Sequence, residues 1–172
     1  MIDKNVLKKA EKDDGQAAYV AGKFFMAEGN YETAFYYIKK AAKKKFAPAF
    51  LVIANMYKEG IGTKINARLA NKYYRKAAKK KYAEAVLSLS ESYTYGFGVK
   101  RNDKRAYSLL KKAADMGSAE AQFALGQKFY GGEGVEKDRE AARFYFTLSA
   151  LGGSAAARTE LDGMSFTPVF RS

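Results

Sequence analysis

The sequence predicts an all-α solenoid, in which pairs of helices repeat along the chain. Residues 39–50 read KKAAKKKFAPAF, and residues 75–86, thirty-six positions later, read RKAAKKKYAEAV. A fixed period of this length is typical of stacked supersecondary units. Two series of alanines and one series of short polar residues recur at the same interval: Ala34, Ala70, Ala106 and Ala142; Ala49, Ala85, Ala121 and Ala157; Asn30, Asn66, Asn102 and Asp138.

The second helix of each repeat, helix B, follows the polar residue of the third series. A short polar side chain accepts hydrogen bonds from the free N–H groups of a first helical turn, so this position marks a helix start. Small residues such as Ala77 let neighbouring backbones approach closely, and bulky residues such as Tyr73 and Tyr74 fill the remaining space. The pattern predicts helix B at about 31–44, 66–80, 102–116 and 138–151.

The first helix of each repeat, helix A, is predicted at about 16–28, 47–59, 83–95 and 119–130. Three of these helices end at glycine-rich turns, where glycine permits a positive φ. The turns are Gly60-Ile61-Gly62, Gly96-Phe97-Gly98 and Gly132-Glu133-Gly134. The first repeat has a turn four residues shorter, Glu28-Gly29-Asn30. Residues 3–12 and 154–162 resemble half repeats that cap the two ends.

One repeat carries a family signature. Residues 119–153, AEAQFALGQKFYGGEGVEKDREAARFYFTLSALGG, resemble a Sel1-like repeat of the tetratricopeptide-like superfamily. The second and third repeats match more loosely, because Tyr73-Tyr74 and Leu109-Leu110 stand where Trp-Tyr is usual. The first, EGNYETAFYYIKKAA, is similar to a tetratricopeptide repeat. The resemblance implies a right-handed α/α superhelical solenoid that serves as a non-enzymatic scaffold or adaptor for a partner protein or peptide.

The repeats predict a single domain over residues 1–172. We expect a half repeat at 3–14, a tetratricopeptide-like repeat at 15–46, Sel1-like repeats at 47–82, 83–118 and 119–153, and a capping helix with a C-terminal tail at 154–172. The tail itself, SFTPVFRS at 165–172, follows Gly163 and contains Pro168. We expect it to leave the helical array and to cap the last helix pair rather than bind a partner.

The composition narrows the chemistry that is open to the protein. The chain has no cysteine and no histidine, which excludes disulfides, thiolate nucleophiles, ordinary zinc sites and imidazole bases. We therefore expect no enzymatic activity, no metal and no cofactor. No apolar run is long enough to span a bilayer. The start, MIDKNVLKK, shows no signal peptide, so we expect a cytoplasmic location.

Charge is distributed unevenly along the chain. The net charge is +13, and residues 1–86 hold 19 Lys and Arg against 8 Asp and Glu, a net of +11. Residues 87–172 hold 12 against 10, a net of +2. A strongly positive half indicates an acidic partner, nucleic acid or an anionic lipid surface, or it serves solubility alone.

The first candidate site is the concave groove that the A helices line in arrays of this kind. Each repeat contributes three positions, which lie two before, two after and five after Leu125 or the residue equivalent to it. This spacing puts each trio on one helical face. The first position of each trio is apolar and the second is polar, which suits an extended or helical peptide; alternatively, the apolar row packs against the neighbouring helix A. These twelve residues, the groove face, are Tyr19, Lys23, Met26, Leu51, Asn55, Lys58, Leu87, Glu91, Thr94, Phe123, Gln127 and Tyr130.

The second candidate site is a basic edge at the ends of two B helices. Its ten residues are Lys39, Lys40, Lys43, Lys44, Lys45, Arg75, Lys76, Lys79, Lys80 and Lys81. Cations are favoured at helix C-termini, so a solvated face is one interpretation. Lys45 and Lys81, however, stand where Gly117 and Gly153 stand in later repeats, a left-handed position that costs a lysine about 1 kcal/mol relative to glycine. Selection for a partner with an acidic segment is the other interpretation.

Three functions remain open from the sequence. The leading one is a protein-binding scaffold. An inhibitor or immunity-type protein that blocks an acidic toxin or enzyme is the alternative, and a binder of nucleic acid or membrane surfaces through the basic edge is the third. The lysine-rich edge has Arg75 as its one arginine, which argues against specific nucleic-acid binding. The salt dependence of binding distinguishes these functions, because nucleic-acid affinity falls steeply with salt concentration whereas the affinity for a groove-bound peptide should fall far less.

Overall fold

The computed structural model describes residues 2–12 and 14–165. These residues form ten helices and no strand, which confirms an all-α helical-repeat solenoid. The helices are α1 (Lys4–Glu11), α2 (Gly15–Ala27), α3 (Tyr31–Lys43), α4 (Ala47–Glu59), α5 (Ala67–Lys79), α6 (Ala83–Tyr95), α7 (Asp103–Asp115), α8 (Ala119–Gly131), α9 (Arg139–Leu151) and α10 (Ala155–Ser165). The first nine begin and end within one residue of the predicted bounds, and α10 extends three residues farther. Most of the predicted tail, residues 166–172, lies outside the described residues.

The chain divides into two compact units, residues 1–102 and 103–172. In the N-terminal unit, α2 packs closely on α3 and α4 on α5; in the C-terminal unit, α8 packs closely on α9. Each of these pairs joins a helix A to the helix B of the same repeat. The single domain that the repeats predict stays a prediction.

Three of the predicted helix starts are capped by the polar residue of the series. The Asn30 side chain accepts from the backbone N–H of Thr33 at 3.2 Å, and the Asn66 side chain accepts from Leu69 at 3.0 Å. Asp138 accepts from two N–H groups of the first turn of α9. These bonds satisfy donors that have no partner within the helix.

The second glycine of the turn after helix A has a role that the sequence did not reveal. A Cβ on Gly62 would overlap the carbonyl oxygen of Tyr31, and a Cβ on Gly98 would lie 2.6 Å from the carbonyl carbon of Ala67. Tyr31 and Ala67 begin the B helices of the preceding repeats, so each turn lies directly on the previous repeat. A Cβ on Gly134 would meet nothing within 4 Å.

The two lysines at the ends of α3 and α5 adopt the left-handed conformation that the sequence predicts. Lys45 has φ 61° and Lys81 has φ 63°, and both are the only non-glycine residues with positive φ among those described. Gly117 and Gly153 have φ 87° and 96° at the equivalent position. Lysine therefore occupies a conformation that glycine adopts with less strain.

An aromatic stack joins helix A to helix B in three of the four repeats. The three pairs are Phe25–Tyr37 (centroids 5.6 Å apart, planes at 6°), Tyr57–Tyr73 (6.1 Å, 12°) and Phe129–Tyr145 (5.6 Å, 2°). In each pair the tyrosine is the seventh residue of its helix B. The stacks hold the three tyrosine rings in equivalent positions from repeat to repeat.

Candidate functional site

The apolar row of the groove face is largely engaged in packing. In the N-terminal unit the Tyr19 ring lies 5.3 Å from the Phe46 ring, and Leu87 is buried. In the C-terminal unit the Phe123 ring lies 5.6 Å from the Phe146 ring in the core. Most of the surface area of these side chains therefore contacts other residues of the protein, and little of it is left for a partner.

The polar row is linked to the core through a buried tyrosine that the sequence analysis had assigned to packing alone. The Tyr74 hydroxyl donates to Asn55 Oδ1 at 2.7 Å, and Asn55 Nδ2 donates to Glu84 Oε1 at 3.4 Å. Tyr74 is fully buried, and this burial is the main reason that its pKa is raised to about 12. The chain of bonds fixes the orientation of the Asn55 amide at the surface.

A second pair on the groove face joins α4 to α6. Lys58 Nζ lies 3.0 Å from Glu91 Oε2, and the two side chains are 40% and 46% exposed. The sequence predicts Lys58 and Glu91 as separate charges that face a ligand, whereas in the structure they form an ion pair with each other. Exposed ion pairs contribute about 0–1 kcal/mol, so a partner could exchange with this pair at small cost.

The remaining groove positions differ in their access to solvent. Lys23 is exposed on α2, while Met26, Leu51 and Thr94 are half-buried. In the C-terminal unit, Gln127 is exposed and so is Tyr130. The exposed members are thus chiefly polar, and the structure leaves their role as partner contacts a prediction.

The basic edge is exposed for most of its length. Lys39 and Lys40 are half-buried, and the other eight cations are exposed. Lys40 Nζ lies 3.0 Å from Glu11 Oε2, and the Tyr37 hydroxyl donates to Glu11 Oε1 at 2.8 Å. The hydrogen bond from Lys40 is the main cause that lowers the pKa of Glu11. Lys40 of the edge is therefore paired with an acid of the protein itself.

Aromatic rings lie beneath two other lysines of this edge. Lys39 Nζ lies 5.5 Å from the centroid of Phe35, and Lys76 Nζ lies 5.4 Å from Phe50 and 5.1 Å from Tyr73. Cation–π contacts of this kind contribute about 0.5–1 kcal/mol at exposed sites. Tyr73 is predicted from the sequence to be a packing residue, and the structure adds that its ring also contacts an ammonium group.

The family of the protein follows from its repeats. The family model of the Sel1 repeat matches residues 11–46, 52–82, 83–118 and 119–154. The chain belongs to the Sel1-repeat family. Proteins of this family generally act as protein-interaction scaffolds. No curated protein matches the sequence closely enough to be counted as a relative.

Solved structures of Sel1-repeat proteins are similar over most of this chain. A Sel1 repeat protein from Oxalobacter formigenes is 27% identical, with TM-score 0.83, over 92% of this chain and 49% of its own length. A protective antigen of uropathogenic Escherichia coli is 26% identical, with TM-score 0.84, over 95% and 36%. Cysteine-rich protein B of Helicobacter pylori is 25% identical, with TM-score 0.52, over 70% and 95%. This Sel1-repeat protein thus spans half or less of the first two.

The described residues of this Sel1-repeat protein contain no cluster of carboxylates suited to a metal ion. The acidic residues at the start of α9 are exposed, and Asp138 among them caps the helix. Gly132 ends α8 in the left-handed conformation. Within the described part of the chain, no helix is both long and apolar enough to cross a membrane. The polar groups that remain for recognition of a ligand are those of the groove face and of the basic edge.

Proposed function

We propose that this Sel1-repeat protein is a non-enzymatic scaffold that binds a protein or peptide partner along its groove face. The proposal rests on the ordered polar row, in which Asn55 of α4 is held by one chain of hydrogen bonds from Tyr74 on α5 to Glu84 on α6. The family supplies the class of function, and this row supplies the contact surface.

The ordered row favours binding because its side chains are already held in place. Immobilising a flexible side chain on binding costs about 0.5–1.5 kcal/mol. Asn55 is held by a hydroxyl whose ring is buried, so little of that cost remains. A peptide laid along α4 and α6 would meet amide, ammonium and carboxylate groups in a fixed order, which suits recognition of an extended or helical segment.

The charges of the groove face favour one direction for the bound segment. Lys23 of the groove face is exposed on α2, whereas Glu84, which is bonded to Asn55 of that face, is exposed on α6. The acidic part of a partner would lie near the first and second repeats, where most of the excess positive charge also lies. Charge complementarity of this kind sets partner choice and orientation more than raw affinity.

A photo-crosslinking experiment tests the proposal. A photoreactive residue placed at Lys23 should capture a discrete partner from cells of the source organism, and Asn55→Ala should reduce the yield. The same residue at exposed Lys100, in the loop before α7, is the matched control. Equal capture from both positions, or capture that Asn55→Ala does not change, would show that the groove face is not the contact surface.

A further inference from the structure

We propose that the seam between α3 and α5 contains a carboxylate-binding site formed by Lys43, Tyr73 and Lys76. Its occupant is a glutamate or aspartate side chain from an acidic segment of a partner protein. The site lies on the B helices, so it is separate from the groove face. Lys43 and Lys76 are exposed and Tyr73 is half-buried, so a ligand can reach both ammonium groups from solvent.

The protein itself contains an occupied copy of this site between α1 and α3. The Glu11 carboxylate accepts hydrogen bonds from the Tyr37 hydroxyl at 2.8 Å and from Lys40 Nζ at 3.0 Å. A phenol and an ammonium group therefore hold one carboxylate between two successive B helices. Charge-assisted hydrogen bonds of this type are stronger than neutral ones.

The register of the B helices places the same groups at the next seam. Tyr37 and Tyr73 are the seventh residues of α3 and α5, and Lys40 and Lys76 are the tenth. Both tyrosine rings are fixed by the stack on helix A, in nearly parallel geometry. The two donors that hold Glu11 in the first copy thus recur in the second.

The site between α3 and α5 lacks a residue equivalent to Glu11, the acid of the site between α1 and α3. Glu11 is the last residue of α1, and the last residue of α3 is Lys43. In the C-terminal unit the last residue of α7 is Asp115, and its charge, after burial, helps to raise the pKa of Tyr145 on α9. An acid at this position therefore lies near the tyrosine of the following helix B.

The seam between α3 and α5 consequently has an excess of donors. Among the residues that the structure describes, no carboxylate is paired with Lys43, Tyr73 or Lys76, and the Lys76 ammonium lies over aromatic rings. The charges of Lys43 and Lys76 are thus not neutralised by a carboxylate within the described part of the chain, and an incoming carboxylate would accept hydrogen bonds from these ammonium groups and from the Tyr73 hydroxyl. The occupied copy indicates the geometry in which it would bind.

A peptide titration tests the site directly. Hexaglutamate, followed by calorimetry at physiological salt, should bind the wild-type protein, and Lys76→Ala or Tyr73→Phe should each weaken binding about tenfold, the effect of losing one charge-assisted bond. Lys80→Ala removes the same charge from the same end of α5 and should change the affinity less than twofold. Equal losses from Lys76→Ala and Lys80→Ala, or no binding of hexaglutamate, would overturn the proposal. Circular dichroism checks that each variant is folded.

A single-stranded thymidine oligonucleotide and inorganic phosphate are the competing probes. The proposal expects both to bind more weakly than hexaglutamate at the same salt concentration, and to lose nothing when Tyr73→Phe is introduced. Tighter binding of the oligonucleotide would assign the basic edge to nucleic acid and would overturn the carboxylate assignment.

A second variant tests the register without any ligand. Lys43→Glu places a carboxylate at the position of Glu11, so it should pair with Tyr73 and Lys76, raise the melting temperature and abolish hexaglutamate binding. Lys80→Glu makes the same charge change at the end of the next helix B and should do neither. If the two variants have the same melting temperature, the repeat register does not bring these groups together. Failure of the groove-face experiment would leave this outcome unaffected.

Discussion

At the scale of single residues, the lysines at the ends of α3 and α5 combine charge with backbone strain. Lys45 and Lys81 lie in the left-handed region, which a side chain with a Cβ adopts at a cost of about 1–2 kcal/mol. Later repeats place glycine at this point. The two lysines are both exposed, so neither gains packing energy that would offset the strain. The binding role proposed for the basic edge would account for lysine at these two strained positions.

Replacing either lysine with glycine should stabilise the protein. For Lys45→Gly and Lys81→Gly we expect a gain of roughly 0.5–1 kcal/mol each, since relief of the left-handed strain exceeds the entropy that glycine loses on folding. The measurement is the urea midpoint at constant m-value. Lys80→Gly is the control: Lys80 has φ −93°, so glycine relieves nothing there and should destabilise.

Two tyrosines should make the stability fall at high pH. The pKa of Tyr74 is raised to about 12 chiefly by burial, and the pKa of Tyr37 to about 12 by burial and by its bond to Glu11, from the ordinary value of 10.0. A raised pKa in the folded state stabilises the protein fully below about pH 10, and that stabilisation is lost as pH rises towards 12. Urea unfolding from pH 9 to 12 measures the loss. The double variant Tyr37→Phe, Tyr74→Phe should show a shallower fall, and an identical profile would contradict the assignment.

At the scale of elements, the glycine turns after α4 and α6 link one repeat to the next, because each contacts the previous helix B. The Asn71 side chain supports this contact by donating to the Phe97 carbonyl at 2.6 Å. Nearest-neighbour contacts of this kind determine the stability of repeat proteins. In these two turns the second glycine is therefore needed for close approach as well as for its positive φ.

Gly62→Ala and Gly134→Ala separate those two requirements. Both glycines have positive φ, at 64° and 75°, so both substitutions should cost about 1 kcal/mol in strain. Gly62→Ala also forces the turn away from Tyr31 and should cost a further 1–3 kcal/mol, roughly the effect of overpacking. Chemical denaturation measures the difference. Equal losses for the two variants would show that the turn does not need this close approach.

Packing between helices A and B should be sensitive to small residues of helix B. Ala77 and Ala113 are fully buried, so Ala77→Leu and Ala113→Leu should each cost about 1–3 kcal/mol through overpacking. Ala156→Leu, on the exposed side of α10, is the control and should change the unfolding free energy by less than about 0.5 kcal/mol. Unchanged urea midpoints for both core variants would contradict the assignment.

Local rules were sufficient to predict the helices, and long-range register was not. The caps at Asn30 and Asn66 and the left-handed Lys45 follow from interactions within a few residues. The pairs Lys40–Glu11 and Lys58–Glu91 join residues 29 and 33 positions apart, and which charges meet depends on the rotation of successive helices. The groove face and the basic edge could therefore be predicted as candidate surfaces, whereas the ion pairs within them could not.

At the scale of the whole molecule, the excess charge lies in the first half of the chain. Residues 1–86 carry +11 of the net +13. Clustered charge speeds the encounter with an oppositely charged partner, and salt screens the effect over about 8–10 Å. The basic edge should therefore affect association more than dissociation.

Reversing two charges of the basic edge tests this expectation. Lys44→Glu with Lys80→Glu should lower the association rate constant for fluorescein-labelled hexaglutamate several-fold and flatten its dependence on salt, with a smaller change in the dissociation rate. Stopped-flow fluorescence from 50 to 300 mM salt measures both rates. Lys104→Glu with Lys128→Glu in the C-terminal unit is the control. A change confined to dissociation would place these lysines in the bound contact instead.

The ring stacks between helices A and B provide a site for a tryptophan probe in each compact unit. The chain has 13 tyrosines and no tryptophan, so one introduced tryptophan would dominate the fluorescence. A tryptophan in place of Phe25 would stack on Tyr37 and emit from the N-terminal unit, and one in place of Phe129 would stack on Tyr145 and emit from the C-terminal unit. Energy transferred from the stacked tyrosine would stop when its repeat opens. Comparing the tryptophan fluorescence of the two variants during unfolding would then show which repeat unfolds first.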